Sequence, residues 1–201
     1  MSAAALETER FAFAATPLAG LLVVHMKARP DERGFFARSF CAREFAAAGL
    51  EGTVAQANLS VTRQAGTVRG LHFQHPPAAE QKLVSCLRGR VFDVAVDLRE
   101  GSATFLHWFG IELSEDLPCA LLIPPGFAHG FQALRPDSTL LYLVSSAYRA
   151  DLEDGLHPLD PAVGIRWPLA VTLMSPRDAG RGPIETGRYR GVRLAAEPAG
   201  G

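Results

Sequence analysis

Arg69-Gly70-Leu71-His72 places a guanidinium and an imidazole three residues apart inside an apolar, β-prone run from Thr67 to Gln74. Alternate side chains of an extended strand share a face, so Arg69, Leu71 and Phe73 are expected on one face and Gly70 and His72 on the other. A lone His in such a strand is commonly a packed core residue. Here it has company, because Lys82, His129, Tyr142 and Asp178 stand in similar strand or strand-end settings. Together these types can remove a proton beside a ketone. The chemistry needs a base titrating near neutrality, a cation or donor on the carbonyl oxygen where enolate charge develops, and an acid to return the proton. A histidine, with an ordinary pKa of about 6.5, suits the first role. Lys82, with Arg69 near it in sequence, suits the second, and Tyr142 in Leu140-Leu141-Tyr142-Leu143 suits the third.

A second motif, Pro124-Pro125-Gly126-Phe127-Ala128-His129-Gly130, sets a Pro-x-Gly turn before a His and resembles the turn that aims an imidazole into the interior of cupin-type jelly rolls. A metal-binding site of that kind would want a His-x-His pair and a carboxylate. The earlier strand offers His72-Phe73-Gln74 instead, and the next charged strand position is Lys82, a cation. Two imidazoles beside an ammonium make a poor divalent-metal site. No metal and no cofactor are expected.

The elements that must position these groups are strands. Segments rich in β-branched and apolar residues recur at Leu21 to Met26, Phe35 to Phe40, Val54 to Thr62, Thr67 to Phe73, Leu83 to Leu87, Val91 to Leu98, Phe105 to Leu113, Ala120 to Ile123, Ala128 to Leu134 and Thr139 to Ser146. Turn signals such as Asp31-Glu32-Arg33-Gly34, Arg88-Gly89-Arg90 and Arg135-Pro136-Asp137 separate them. Many short strands at such spacing point to an all-β sandwich or barrel. Only Ala42 to Gly49 reads as helix. From Asp151 onward prolines and glycines accumulate, which predicts an irregular segment wrapping the barrel. The reading is one domain over 1–201, with a core of about 20–180 and a loose tail over 181–201, disordered from Ala195.

Composition excludes several classes. The 201 residues are 48% hydrophobic and 20% charged, with a formal net charge of -1. No global positive field attracts nucleic acid. No apolar run approaches about 18 residues, the length of a membrane span. Three cysteines without CxxC spacing argue against a disulfide framework and for a reducing cytoplasm. His25, His107 and His157 lack motif partners, His75 sits in a loop near the motif, and Arg177, Arg181, Arg188, Arg190 and Arg193 read as a solvated face.

From about Asp31 to Asp178 the chain resembles the dTDP-4-dehydrorhamnose 3,5-epimerases, cupin-like deoxysugar enzymes that act without metal. The likeness rests on Asp31-Glu32-Arg33-Gly34-Phe35-Phe36, Gln56-Ala57-Asn58-Leu59-Ser60, Arg69 to Gln74, Lys82-Leu83-Val84, Val91 to Arg99 and Ile123 to Phe131. The resemblance implies a cupin-like jelly-roll barrel with a short N-terminal helix and an irregular C-terminal segment. It implies His72 as base, Asp178 orienting it, Tyr142 as acid on the opposite face of the sugar, and Lys82 steadying the enolate oxygen. Arg69 and His129 would line the sugar and phosphate end. Gln56, Asn58 and Tyr148 would hold the nucleotide base, with Glu153 at a further contact position and Arg33 reaching in from a neighbouring subunit. Asp93 would support the site from behind. A homodimer sharing strands is implied, with a nucleotide-sugar substrate.

The chain departs from the family pattern in places. Arg38 stands where a Glu belongs, Glu80-Gln81-Lys82 replaces Gln-Gly-Lys, Pro158-Leu159-Asp160 replaces Trp-Asn-Asp, and Arg177 replaces a Lys. The implied function is epimerisation of a nucleotide-linked 4-keto-6-deoxyhexose, dTDP-4-dehydro-6-deoxy-D-glucose at carbons 3 and 5. Inversion at one carbon only, a different nucleotide carrier, and a non-catalytic sugar-nucleotide-binding cupin are the alternatives.

Overall fold

The structure, a computed structural model, describes residues 6–49, 53–185 and 187–194. Its strands form two large antiparallel sheets packed as a jelly-roll barrel. One sheet runs in the order β1 (Leu6–Glu7), β2 (Phe11–Ala15), β3 (Leu22–Met26), β11 (Cys119–Ile123), β8 (Lys82–Arg88), β13 (Ser138–Val144) and β6 (Gln56–Thr62). The other runs β10 (Trp108–Ser114), β9 (Arg90–Asp97), β12 (Phe127–Ala133), β7 (Val68–Gln74) and β14 (Glu153–Gly155). A small hairpin of β4 (Arg29–Asp31) and β5 (Gly34–Phe36) stands apart, followed by the short helix α1 (Ala42–Ala46). Helix α2 spans Pro176–Ala179. Among the described residues no helix is long and apolar enough to cross a membrane.

Three apolar clusters hold the layers together. Between the sheets, Leu21, Val84, Ala95, Leu113, Leu121, Phe127, Phe131 and Leu140 interdigitate. Fully burying side chains of this size stabilises by about 1.5–3 kcal/mol each. On the outer face of the larger sheet, Phe45 of α1 packs edge-on against Phe11 and Phe13. On the outer face of the smaller sheet, Leu71, Phe73, Val94 and Val96 are covered by Leu156, Val163 and Val192 from the C-terminal segment. That covering corrects the expectation of a loose tail from residue 181. Val192 is 1% exposed, and its N–H bonds the carbonyl of Leu98 at 2.6 Å. The part expected to be disordered, Ala195 to Gly201, lies outside the described residues.

The decisive local feature is in β7. His129 of β12 pairs with His72, and Phe131 pairs with Arg69. Three steps along β7 therefore match two along β12, a β-bulge with its extra residue at Gly70-Leu71. Strict alternation fails here, which corrects the expectation that Arg69 and His72 face opposite ways. Both line one hollow inside the barrel, while Leu71 and Phe73 pack outward. Gly70 permits this with φ of +110°, and an added Cβ would lie 2.6 Å from Gly130 Cα and 2.6 Å from the His129 carbonyl.

Candidate active site

The bulge and α2 together create an imidazole–carboxylate pair. Ser175 caps α2 by accepting from the Asp178 amide at 3.0 Å, as short polar side chains do at helix starts. Asp178 is thereby fixed at 2% exposure. Its Oδ1 lies 2.7 Å from His72 Nε2, and its Oδ2 accepts from the Gly70 amide at the bulge, at 3.4 Å. A carboxylate only accepts, so Nε2 carries the proton and Nδ1 keeps the lone pair. Burial pushes the His72 pKa below its ordinary value, against the bond and charge of Asp178. The ring is therefore a neutral base at physiological pH.

His129 and Asp93 form a second pair across β12 and β9, at 2.8 Å and fully inside the wall. The Tyr142 ring meets His129 edge-on, with centroids 5.7 Å apart. Burial holds the Tyr142 phenol protonated far above its usual range, Asp93 adds to this, and Arg69 and Ser60 oppose it. Tyr142 thus keeps its proton across the physiological pH range.

Two adjoining hollows share Asn58, Lys82 and Tyr142. One, of about 250 Å³, adds Ser60, Arg69, His72 and His129. The other, of about 150 Å³, adds Gln56, Gln74, Glu80 and Tyr148. Lys82 Nζ, on β8 of the opposite sheet, donates to the His72 carbonyl oxygen at 3.2 Å, which holds the ammonium beside the strand that carries the imidazole. Arg69 makes no ion pair among the described residues and stands exposed at the first hollow, free for an anion. Around the second, the Tyr148 amide donates to Gln56 Oε1 at 2.8 Å, and its hydroxyl donates to Glu153 at 2.6 Å. Arg177 reaches the same Glu153 oxygen at 2.8 Å.

The structure thus gathers His72, Asp178, Tyr142, Lys82, Arg69, His129, Asn58, Gln56, Tyr148, Glu153 and Asp93 into one region. Arg33 is not among them. It pairs with Asp31 at 2.6 Å on the exposed hairpin and lines neither hollow. Arg38, the charge reversal, lies 3.7 Å from Glu44 of α1. Two arginines of the supposed solvated face are tied in. Arg177 joins Glu153, and Arg181 bonds Asp154 and the Gly155 carbonyl at 2.7 and 2.9 Å. Glu80 and Gln74 went unassigned as site residues on the sequence. On the sequence, Glu80 enters only through the altered Glu80-Gln81-Lys82 motif, which keeps its lysine.

A β-barrel whose interior sets an imidazole–carboxylate base, a buried phenol and an ammonium around one hollow belongs to the class of acid–base isomerases that move protons on carbon. The comparisons agree. A family model described as dTDP-4-dehydrorhamnose 3,5-epimerase matches residues 15–185. A dTDP-4-dehydrorhamnose 3,5-epimerase from Sinorhizobium fredii is 40% identical over 174 residues, covering 86% of this chain and 89% of that one. A dTDP-4-dehydrorhamnose 3-epimerase from Streptomyces niveus is 44% identical over 160 residues, covering 79% and 77%. The solved dTDP-6-deoxy-D-glucose-3,5-epimerase of Legionella pneumophila, in complex with dTDP-4-keto-L-rhamnose, superposes with a TM-score of 0.85 at 38% identity, covering 92% of this chain and 100% of that one. The chain belongs to the dTDP-4-dehydrorhamnose 3,5-epimerase family.

Proposed function

We propose that this chain epimerises dTDP-4-dehydro-6-deoxy-D-glucose at carbons 3 and 5, giving dTDP-4-dehydro-L-rhamnose. The observation that carries the reading is the convergence of the 2.7 Å His72–Asp178 pair with Lys82 and Tyr142 on shared hollows. His72 Nδ1 takes the proton from the carbon beside the ketone, and Asp178 stabilises the imidazolium that results. Lys82 donates to the C4 oxygen as it becomes an enolate. Tyr142, held protonated, returns a proton to the opposite face of the ring. General acid–base catalysis of this kind contributes about 10²–10⁴-fold, and oriented charge at the enolate oxygen adds to it.

Arg69 and His129 serve the sugar and diphosphate, and Gln56, Asn58, Tyr148 and Glu153 serve the nucleotide. The whole chain acts as one epimerase domain in the cytoplasm, as a homodimer. Exposed Phe35, Leu87 and Leu117, which border one outer groove with the half-buried Leu141, and the edge of β6, unpaired among the described residues, support the dimer, since uncovered apolar edges invite association. Arg33, on its protruding hairpin, then contributes across that interface.

Incubation of the enzyme with the substrate in deuterated water tests the reading by proton NMR. Deuterium at both carbon 3 and carbon 5 is expected. Label at carbon 3 alone would support a second reading, single-carbon inversion, which the name of the 44%-identical Streptomyces niveus relative favours. Tight binding with no label at all would leave only a binding protein.

A further inference from the structure

Glu80 lies in the wall of the second hollow with a side chain only 7% exposed, paired at 3.1 Å with Lys82. Resting on the function just proposed, we infer that Glu80 is a positioning residue, anchoring the Lys82 ammonium so that one N–H stays directed to the substrate's carbonyl oxygen. An ammonium has three donors and no acceptor. Glu80 Oε1 at 3.1 Å and the His72 carbonyl at 3.2 Å accept two of them. The third remains for the space between the hollows that Lys82 borders on both sides.

The carboxylate is itself pinned. Its other oxygen accepts from the Gln74 side-chain amide, which also donates to the Ala78 carbonyl at 3.1 Å. The Gln74 carbonyl in turn accepts from the Arg149 amide at 2.6 Å. A chain of contacts thus runs from the backbone near β14, through Gln74 and Glu80, to the ammonium and back to the residue that carries the base. A buried ion pair contributes little net stability once desolvation is counted, so the property this pair supplies is direction. Glu80 cancels part of the Lys82 charge. In exchange it removes the rotamer freedom of a long, flexible stem, and donors held in place before charge develops are the effective ones.

The test combines Glu80→Gln, which keeps size and an acceptor oxygen but removes the charge, with Lys82→Ala and the double variant. Rates are read as deuterium incorporation from solvent by proton NMR over hours, so that slow variants still register. Glu80→Gln is expected to lower kcat by about tenfold or more with KM changed by less than about twofold, because misplacement acts on the reacting geometry. In the Lys82→Ala background the same change is expected to alter the rate by less than about twofold, the non-additivity of groups acting through one another. Equal losses in both backgrounds, with or without a drop in melting temperature, would mark a structural role and overturn the inference, as would an unchanged kcat for Glu80→Gln. A Lys82→Ala enzyme exchanging at the wild-type rate would instead overturn the role given to Lys82 in the proposed function.

Discussion

Gly70→Ala probes the bulge on which the site is built. Two costs can be assigned from the structure. The φ of +110° lies where L side chains are strained, at about 1–3 kcal/mol. The new Cβ would stand 2.6 Å from two backbone atoms of β12, Gly130 Cα and the His129 carbonyl oxygen. Neither atom is a flexible tip, so β7 and β12 must part, and overpacking of this kind costs about 1–3 kcal/mol more. A combined cost of about 3 kcal/mol lowers the melting temperature of a chain of this size by about 6–12 °C. Gly101→Ala is the control. Its φ is +78°, and a Cβ there meets nothing within 4 Å, so only the backbone strain applies, about 1 kcal/mol and 2–4 °C. Thermal unfolding by circular dichroism at matched protein concentration compares the two, and the exchange assay follows activity. Gly70→Ala should also lose activity at least tenfold at a temperature where it remains folded, since separating β7 from β12 moves His72 away from the rest of the site. A Gly70→Ala protein that melts no lower than Gly101→Ala and keeps full activity would refute the bulge as the positioning element.

Asp178→Asn removes the charge that orients His72 while leaving a similar shape, and should lower kcat by about 10²–10⁴-fold with little effect on KM, as seen when an orienting carboxylate is neutralised beside a histidine base; steady-state kinetics checks this. Tyr142→Phe removes the acid but keeps the ring packed against His129, and deuterium from solvent should then fail to appear at carbon 5 in the NMR assay. The pH dependence follows from the depressed pKa of His72. The base is active when neutral, so kcat/KM should rise with pH through an acid limb whose midpoint lies below the ordinary histidine value of about 6.5 and then level off. An acid limb centred above that midpoint would contradict the burial argument.

Much of this was legible in the residues. Apolar and β-branched runs broken by turn signals marked β3 and β6 to β13, because burial on a pleated surface selects those types. The alanine-rich helix α1 and the wrapping C-terminal segment were visible too. β2, Phe-Ala-Phe-Ala-Ala, was missed although its phenylalanines alternate as a half-buried strand requires, and β14 was hidden because Glu-Asp-Gly has no apolar signal at all. The bulge could not be read because period-2 alternation presumes unbroken register, and its trace in the sequence is a single glycine. Arg181 and Glu80 escaped notice for one reason: charged residues are ordinarily solvated, and only the fold shows these two side chains largely withdrawn from water and paired. The residues to which the chemistry is assigned stood out because imidazole, ammonium and phenol are uncommon company in apolar strands.

If His72 is the base, solvent exchange in a His72→Asn variant shows it. Asn fills similar space and cannot take the proton. With dTDP-4-dehydro-6-deoxy-D-glucose in deuterated water, this variant should still bind the sugar nucleotide but incorporate no deuterium at carbon 3 or carbon 5. Exchange at either carbon at the wild-type rate would contradict it.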